Sequence, residues 1–189
     1  MKNKNVLVTG ASGMIGHVVV DKLLKKGYSV RATDIQYNII TENVFTEYDK
    51  NQFEFRMSDL RNFDSCKDLV KDVDIVYHLA GVTDVAYVKS ESNDEQDNKI
   101  KTVGIDGTNN IIQSVGETTK LIFPSTHVVY EGFDDTVFEL EEDVETCPVL
   151  TYSKGKVQSE EDLKKSPINY VVLRLGSVYG YGGDSMRLN

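Results

Sequence analysis

A tyrosine and a lysine four positions apart form the pair of side chains with the clearest catalytic potential. They lie in Tyr152-Ser153-Lys154-Gly155-Lys156, at the start of a predicted helix. Residues i and i+4 share a helix face, so the Lys156 ammonium can approach the Tyr152 hydroxyl. A free tyrosine has a pKa of about 10, and a cation about 4 Å away favours its ionised form. The spacing therefore predicts a tyrosine that exchanges protons with a substrate.

Two hydroxyl residues, Ser125 and Thr126, follow the predicted strand Lys120–Pro124. A hydroxyl at this position can hydrogen-bond a substrate oxygen while Tyr152 moves its proton. His127 comes next, and we interpret it as a loop histidine rather than as a substrate-facing acid. His78, which ends another predicted strand, is likewise expected to make a structural hydrogen bond and to have no catalytic role.

A glycine-rich loop connects the first predicted strand to the first predicted helix. Its spacing, GxxGxxG, is one residue wider than the dinucleotide fingerprint GxGxxG. Three glycines at this spacing permit a tight turn, close approach of the backbone to a pyrophosphate, and packing of the helix on the strand. Backbone N–H groups at the helix start then point at the phosphate. We therefore predict a dinucleotide site that includes Gly10, Ser12, Gly13, Met14, Ile15 and Gly16.

An acidic residue, Asp34, ends the second predicted strand, 18 residues after Gly16. A carboxylate at this place accepts hydrogen bonds from the adenosine ribose and repels the additional phosphate of NADP. Arg31 is close in sequence, but strand alternation directs it to the opposite face. The sequence therefore predicts NAD as the cofactor and disfavours NADP.

Strands that alternate with helices must position these residues. We predict six strands, at Asn5–Thr9, Tyr28–Thr33, Phe53–Met57, Asp74–His78, Lys120–Pro124 and Tyr170–Leu175. Helices are predicted at Met14–Lys26, Ser65–Lys71 (with Asp64 as the N-cap), Ile100 to Val115 and Tyr152–Lys164. This alternation predicts a doubly wound α/β fold of the Rossmann type with a parallel sheet. Ligands of such folds bind at the carboxyl ends of the strands.

The composition indicates an ordinary globular protein with an acidic surface. The chain has 189 residues and a net charge of −9, and seven acids fall between residues 134 and 145. An acidic surface argues against a nucleic acid partner. The two cysteines and three histidines have no ligand spacing, so we predict no metal site. We expect a cytoplasmic protein without a signal peptide or membrane helix.

The motifs together resemble the extended short-chain dehydrogenase/reductase family, the NAD-dependent epimerases and dehydratases of nucleotide sugars. The matching segments are TGASGMIG at 9–16, Asp34, Asp59-Leu60, HLAG at 78–81, GTNN at 107–110, STHVVY at 125–130, YSKGK at 152–156 and LRLGSVYGYG at 173–182.

The resemblance implies a role for each matching residue. It places Gly10, Gly13 and Gly16 at the pyrophosphate, Asp34 at the ribose, and Asp59 and Leu60 beside the adenine. It implies that Leu79, Ala80 and Gly81 line the cofactor groove. It makes Thr126, Tyr152 and Lys156 the catalytic set, with Tyr152 and Lys156 also contacting the cofactor.

Departures from the family pattern narrow the expected function. Thr126-His127-Val128 stands where dehydratases carry Thr-Asp-Glu, which disfavours a 4,6-dehydratase. Gly104 stands where the family often has Asn. Family members are about twice as long, so residues 1–189 are expected to be the NAD-binding domain, without most of the C-terminal substrate-binding part.

Three functions remain open from the sequence. The first is an NAD-dependent epimerase-like oxidoreductase that acts on a nucleotide sugar. The second is an NAD(P)H-dependent reductase of a keto sugar or similar carbonyl, because the segment 125–132 is also similar to the dehydrorhamnose-reductase branch. The third is a non-catalytic dinucleotide-binding module. The resemblance also suggests a homodimer formed through the helices near 99–115 and 152–164.

Overall fold

The computed structural model describes residues 4–37, 48–49, 51–82, 93–134 and 140–179. In this part of the chain, six parallel strands form one sheet in the order β3-β2-β1-β4-β5-β6. The order reverses between β1 and β4, and this switch point is where doubly wound sheets bind ligands. The predicted fold is confirmed. The strands are β1 (Asn5–Thr9), β2 (Ser29–Asp34), β3 (Phe53–Met57), β4 (Ile75–His78), β5 (Lys120–Thr126) and β6 (Asn169–Leu175).

Helices follow most of the strands. They are α1 (Met14–Lys25), α2 (Phe63–Val70), α3 (Asp94–Lys99), a π-helical segment (Ile100–Asp106), α4 (Gly107–Ser114) and α5 (Thr151–Lys165), with a 3₁₀ helix at His127–Tyr130. Among the described residues, none of these helices is long and apolar enough to cross a membrane.

The central strands are buried on both faces, as expected for a parallel sheet between two layers of helices. Val6 and Val8 of β1 pack with α1 in one core, which also contains Val20 and Leu24. Leu7 points to the opposite face and belongs to a second core. That core also contains Val76, Leu121, Phe123, Leu69, Ile111 and Leu163, from β4, β5, α2, α4 and α5.

Two predicted element boundaries are wrong for identifiable reasons. The N-cap of α2 is Asn62 and not Asp64, because the Asn62 side chain accepts the Ser65 N–H at 3.1 Å. Asp64 lies in the first turn of the helix instead. Strand β5 continues past Pro124 to Thr126, because its pairing with β6 extends to Leu175. The remaining predicted strands and helices α1 and α5 differ from the observed ones by a residue at one or both ends, or not at all.

The helix predicted from Ile100 to Val115 is longer and less regular than expected. It begins at Asp94, where Asn93 caps α3, and it passes through the π-helical turn before α4. A π turn adds a residue to the helix and rotates the turns after it. Here it lies against α5, where a Cβ on Gly155 would come within 3.0 Å of Ile100 Cγ2. The absence of a side chain at Gly155 therefore allows this close packing.

Candidate active site

The glycine loop between β1 and α1 is packed too tightly for side chains at two of its three glycines. Gly10 has a φ of +65°, and a Cβ on it would lie 2.6 Å from the Ala80 nitrogen. A Cβ on Gly16 would lie 2.0 Å from the Gly10 carbonyl oxygen, whereas one on Gly13 would lie 3.2 Å from it. Gly10 therefore provides the turn and Gly16 the contact of helix with strand.

The carboxylate of Asp34 holds the loop against the end of β2. Its Oδ2 accepts the Ser12 N–H at 3.0 Å, and its Oδ1 accepts the Ile35 N–H at 2.8 Å. Arg31 is directed elsewhere, and its guanidinium donates to the carbonyl oxygens of Leu69 and Lys71. Asp34 is thus the charged group beside the glycine loop, in agreement with the alternation argument.

The start of α1 suits a dinucleotide phosphate. Gly13 precedes the helix and has no side chain that could cap it, and it is exposed. Helix N–H groups that lack a side-chain cap attract anions. The loop, with an acidic residue at the end of the next strand, fits a dinucleotide whose ribose carries free hydroxyls.

His78 connects the ends of β1 and β4 to the π-helical segment through a buried chain of hydrogen bonds. Its Nδ1 lies 2.8 Å from Thr9 Oγ1, and its Nε2 lies 3.0 Å from Thr108 Oγ1. The Thr108 hydroxyl donates to the Gly104 carbonyl oxygen, so it must accept from His78 Nε2–H. Thr9 Oγ1 in turn accepts the Ala80 N–H at 3.1 Å. These contacts define a neutral histidine with a structural role.

The electrostatic surroundings of His78 keep it neutral. The ring is 1% exposed, and burial, assisted by the positive charge of Lys156, lowers the pKa of His78 to about 3. Sequence reasoning missed Thr9 and Thr108 as its partners. The sequence marks these two residues only by their position: Thr9 directly precedes Gly10, and Thr108 lies in the GTNN segment.

Tyr152 and Lys156 line one cleft together with Ala80 and Gly81, two of the residues predicted to line a cofactor groove. The walls of this cleft include Ala80, Gly81, Gly104, Tyr152 and Lys156. A Cβ on Gly104 would have one neighbour, Ile100 Cγ2, at 4.0 Å, so the glycine leaves this wall open. The sheet thus brings the segment after β4 beside the first turns of α5.

The ammonium of Lys156 lies between α5 and β5, and the side chain is partly buried. Its Nζ donates to the Pro124 carbonyl oxygen at 2.9 Å and lies 5.9 Å from the Tyr152 ring centre. Proline is tolerated there because the pairing of β5 with β4 ends at Ile122. Burial lowers the pKa of Lys156 to about 8, against the opposing effect of the Glu160 carboxylate.

Thr126 occupies the end of the neighbouring strand and is not among the residues that line this cleft. It is 9% exposed, and its Oγ1 accepts the Val128 N–H at 3.3 Å, which caps the 3₁₀ helix. His127, expected in a loop, is the first residue of the 3₁₀ helix, and its Nδ1 donates to the Leu175 carbonyl oxygen at 3.1 Å. The structure therefore unites Tyr152 and Lys156 in the cleft and leaves Thr126 at the adjacent strand end.

Asp59 and Leu60 follow β3, and both are held by neighbours that sequence reasoning missed. The Asp59 carboxylate accepts the backbone N–H of Arg61 at 2.9 Å and also binds its guanidinium, which lowers the pKa of Asp59. Leu60 is buried, and its carbonyl oxygen accepts the Asn110 side-chain N–H at 2.8 Å. Contact of this pair with an adenine stays a prediction.

Comparisons with known proteins show which family the chain is similar to. The model of the NAD dependent epimerase/dehydratase family matches residues 6–188. A protein from Methanocaldococcus jannaschii with the assignment UDP-glucose 4-epimerase is 30% identical over 189 residues, which cover 95% of this chain and 57% of the relative. A dTDP-4-dehydrorhamnose reductase from Mycolicibacterium smegmatis is 28% identical, with 96% of this chain and 47% of the relative covered. The chain therefore spans about half the length of the curated relatives it matches.

Solved structures share the fold. A UDP-glucuronic acid 4-epimerase from Bacillus cereus, in complex with NAD and UDP-4-deoxy-4-fluoro-glucuronic acid, has a TM-score of 0.76 and 28% identity, covering 93% of this chain and 57% of that one. The Bordetella bronchiseptica enzyme WbmH with NAD⁺ has a TM-score of 0.78 at 21% identity, covering 97% and 60%. The prediction of NAD as the cofactor agrees with these findings. By the match over residues 6–188, the chain belongs to the NAD-dependent epimerase/dehydratase family.

Proposed function

We propose that this chain is the NAD-binding part of an epimerase that oxidises and then reduces a hydroxyl-bearing carbon of a nucleotide sugar. The observation that carries the proposal is the cleft in which Tyr152 and Lys156 lie beside Ala80 and Gly81. The names of the relatives, which include UDP-sugar 4-epimerases, support a nucleotide sugar as the substrate class.

The proton chemistry belongs to Tyr152. Its phenolate takes the proton of the sugar hydroxyl while the hydride leaves the same carbon, and it returns the proton when the carbonyl is reduced on its other face. The nearby Lys156 ammonium favours the phenolate. Thr126, at the end of β5, is proposed to orient the sugar oxygen. NAD, when bound, supplies the hydride acceptor.

The residues proposed to hold NAD surround the switch point of the sheet. The loop from Gly10 to Gly16, including Ser12, Met14 and Ile15, is proposed to bind the pyrophosphate. Asp34 would accept the adenosine ribose hydroxyls. Asp59 and Leu60 would lie beside the adenine, and Leu79, Ala80 and Gly81 would line the groove across the strand ends. Tyr152 and Lys156 would contact the cofactor at its nicotinamide end.

Calorimetric titration of the chain with NAD and with NADP tests the cofactor assignment. We expect NAD to bind at least about tenfold more tightly, because the Asp34 carboxylate would repel the 2′-phosphate of NADP. Equal affinities would contradict the role of Asp34. Incubation with NAD and UDP-glucose or UDP-glucuronic acid, followed by product analysis, then tests turnover: an epimer must form without net NADH.

Reduction of a keto sugar is the second candidate function. It is supported by the segment 125–132 and by the similarity to the dTDP-4-dehydrorhamnose reductase. Net oxidation of NADH in the presence of a keto sugar nucleotide would favour this reductase, because an epimerase regenerates its cofactor. NAD binding with neither reaction would favour a non-catalytic dinucleotide-binding module.

A further inference from the structure

The start of α5, the helix that carries Tyr152 and Lys156, is held in place by a residue from another part of the chain. Leu150 precedes the helix and has an apolar side chain that cannot cap it. The carboxylate of Glu131 binds the two residues that lead into the helix: its Oε1 accepts the N–H groups of Val149 at 2.8 Å and Leu150 at 2.7 Å. The same oxygen accepts the hydroxyl of Ser153, which is fully buried.

The contacts of Glu131 belong to a tight junction between residues 129–132 and residues 147–150. The Cys147 N–H donates to the Val129 carbonyl oxygen, and the Gly132 N–H donates to the Cys147 carbonyl oxygen, both at 2.8 Å. A Cβ on Gly132 would lie 2.6 Å from that Cys147 oxygen. Residues 129–132 and 147–150 therefore pack with no room for a side chain at Gly132, and Glu131 lies within this junction.

The junction connects the two elements that carry the candidate catalytic residues. Thr126 ends β5, and the 3₁₀ helix leads from it directly to Glu131. On the other side, the bound residues Val149 and Leu150 lead directly to Tyr152. A carboxylate at a helix N-terminus is also favoured by the helix dipole, so its charge strengthens the contact.

We propose that Glu131 is a positioning residue that fixes the start of α5, and with it Tyr152, relative to Thr126. The proposal rests on the proposed function of Tyr152 as the proton-transferring group. Glu131 acts through the helix backbone and Ser153, and it is not assigned a contact with substrate or cofactor.

The test compares E131A and E131Q with wild type and with E161Q, a matched change at an exposed position of the same helix. Hydrogen exchange of the full 189-residue chain reports directly on the backbone hydrogen bonds that Glu131 accepts. We expect the Val149 and Leu150 amides to exchange about fivefold faster or more in E131A, and less so in E131Q, whose amide oxygen still accepts. We also expect the Tyr152 signal of chain labelled with ¹³C at tyrosine Cζ to shift in E131A, but not in E161Q.

Kinetics and binding separate positioning from general destabilisation. In E131A we expect kcat to fall about 10- to 100-fold, because a displacement of the order of 1 Å has effects of this size. KM for the nucleotide sugar and the Kd of NAD are expected to stay within about threefold, because Glu131 touches neither. If E131A does not fold, E131Q and S153A carry the same comparison.

The results distinguish the positioning role of Glu131 from the proposed function of the chain. A kcat within about twofold of wild type in folded E131A would overturn the positioning role of Glu131. A wild-type chain that binds no NAD would contradict the proposed function instead. In that case the exchange rates and the Tyr152 signal still decide, and unchanged values in E131A would overturn the inference about Glu131.

Discussion

Lys156 and His78 show how burial sets the chemistry of single side chains in the candidate site. His78 is buried and Lys156 is partly buried, and burial lowers the pKa of each, to about 8 for Lys156 and to about 3 for His78. Lys156 therefore stays mostly charged at neutral pH, whereas His78 is neutral. At neutral pH the site therefore contains both a cation beside Tyr152 and a neutral histidine in the hydrogen-bond chain.

Replacing Tyr152 by Phe removes the hydroxyl and leaves the ring. We expect hydride transfer to fall by about 10³-fold or more, because the group that exchanges the proton is lost. The Kd of NAD should stay within about threefold, since the loop and Asp34 would provide most of the binding. Single-turnover kinetics and calorimetry measure the two quantities. Transfer at the wild-type rate in Y152F would contradict the assigned mechanism.

His78 should make the protein sensitive to acid. Its pKa is lowered from 6.5 to about 3 in the fold, so below pH 6.5 the unfolded chain takes up a proton that the native chain does not. Stability is therefore lost as the pH falls from 6.5 towards 3, by about 2 kcal/mol between pH 7 and pH 5. Urea unfolding of wild type and H78Q at both pH values measures this, and the variant should lose less by that amount. Equal losses would show that His78 is protonated in the native state.

Close contacts between elements explain why glycines recur at particular places. Gly16 brings α1 against the end of β1, and Gly155 brings α5 against the π-helical segment that also holds Gly104. In the first case the neighbouring atom belongs to the backbone, which cannot move aside easily. In the second it is a side-chain methyl, Cγ2 of Ile100, and the distance is 1.0 Å longer, at 3.0 Å against 2.0 Å. The glycine loop is therefore the less tolerant of the two places.

Gly16→Ala tests this difference at the first helix. The new Cβ would lie 2.0 Å from the Gly10 carbonyl oxygen, so the loop must shift. We expect the free energy of unfolding to fall by about 2 to 3 kcal/mol and the Kd of NAD to rise at least about tenfold. Gly116→Ala is the control, because its nearest neighbour is a side-chain atom at 4.0 Å, and it should change stability by less than about 0.5 kcal/mol. Similar losses in both variants would contradict the packing argument.

The molecule as a whole presents its candidate site along one edge of a single sheet. Strand ends from β1, β2, β3, β4 and β5 contribute the glycine loop, Asp34, Asp59, His78 and Thr126, because all strands are parallel. A ligand along this edge would therefore contact segments that lie far apart in the sequence. Binding of such a ligand to the native chain should therefore raise the free energy of unfolding of the whole domain.

NAD should raise the melting temperature of the chain. At a free concentration 100 times its Kd, a ligand that binds only the native state stabilises it by about 2.7 kcal/mol. For a domain of this size we expect an increase of about 5 to 10 °C. Calorimetric scans with NAD, with the same concentration of NADP, and without nucleotide measure the effect. A shift with NADP as large as that with NAD would contradict the specificity assigned to Asp34.

Much of the fold and part of the site could be predicted from the sequence because they depend on local patterns. Alternating apolar runs and helical periodicity are enough to predict six strands and a parallel sheet. The helix repeat is enough to place Tyr152 and Lys156 on one face. The positions that were missed, such as the start of the helix at Asp94 and the cap at Asn62, depend on competing polar residues that local patterns do not rank.

The remaining features depend on contacts between distant residues, which only the folded chain brings together. Thr9 and His78 are 69 residues apart, and Glu131 and Leu150 are 19 apart, yet each pair is within hydrogen-bond distance. Crossover connections between parallel strands create these contacts, and no spacing along the chain indicates them. Residue types and local spacing therefore determine which chemistry is available. The tertiary structure decides which groups are buried, which partners they have and how Tyr152 is held.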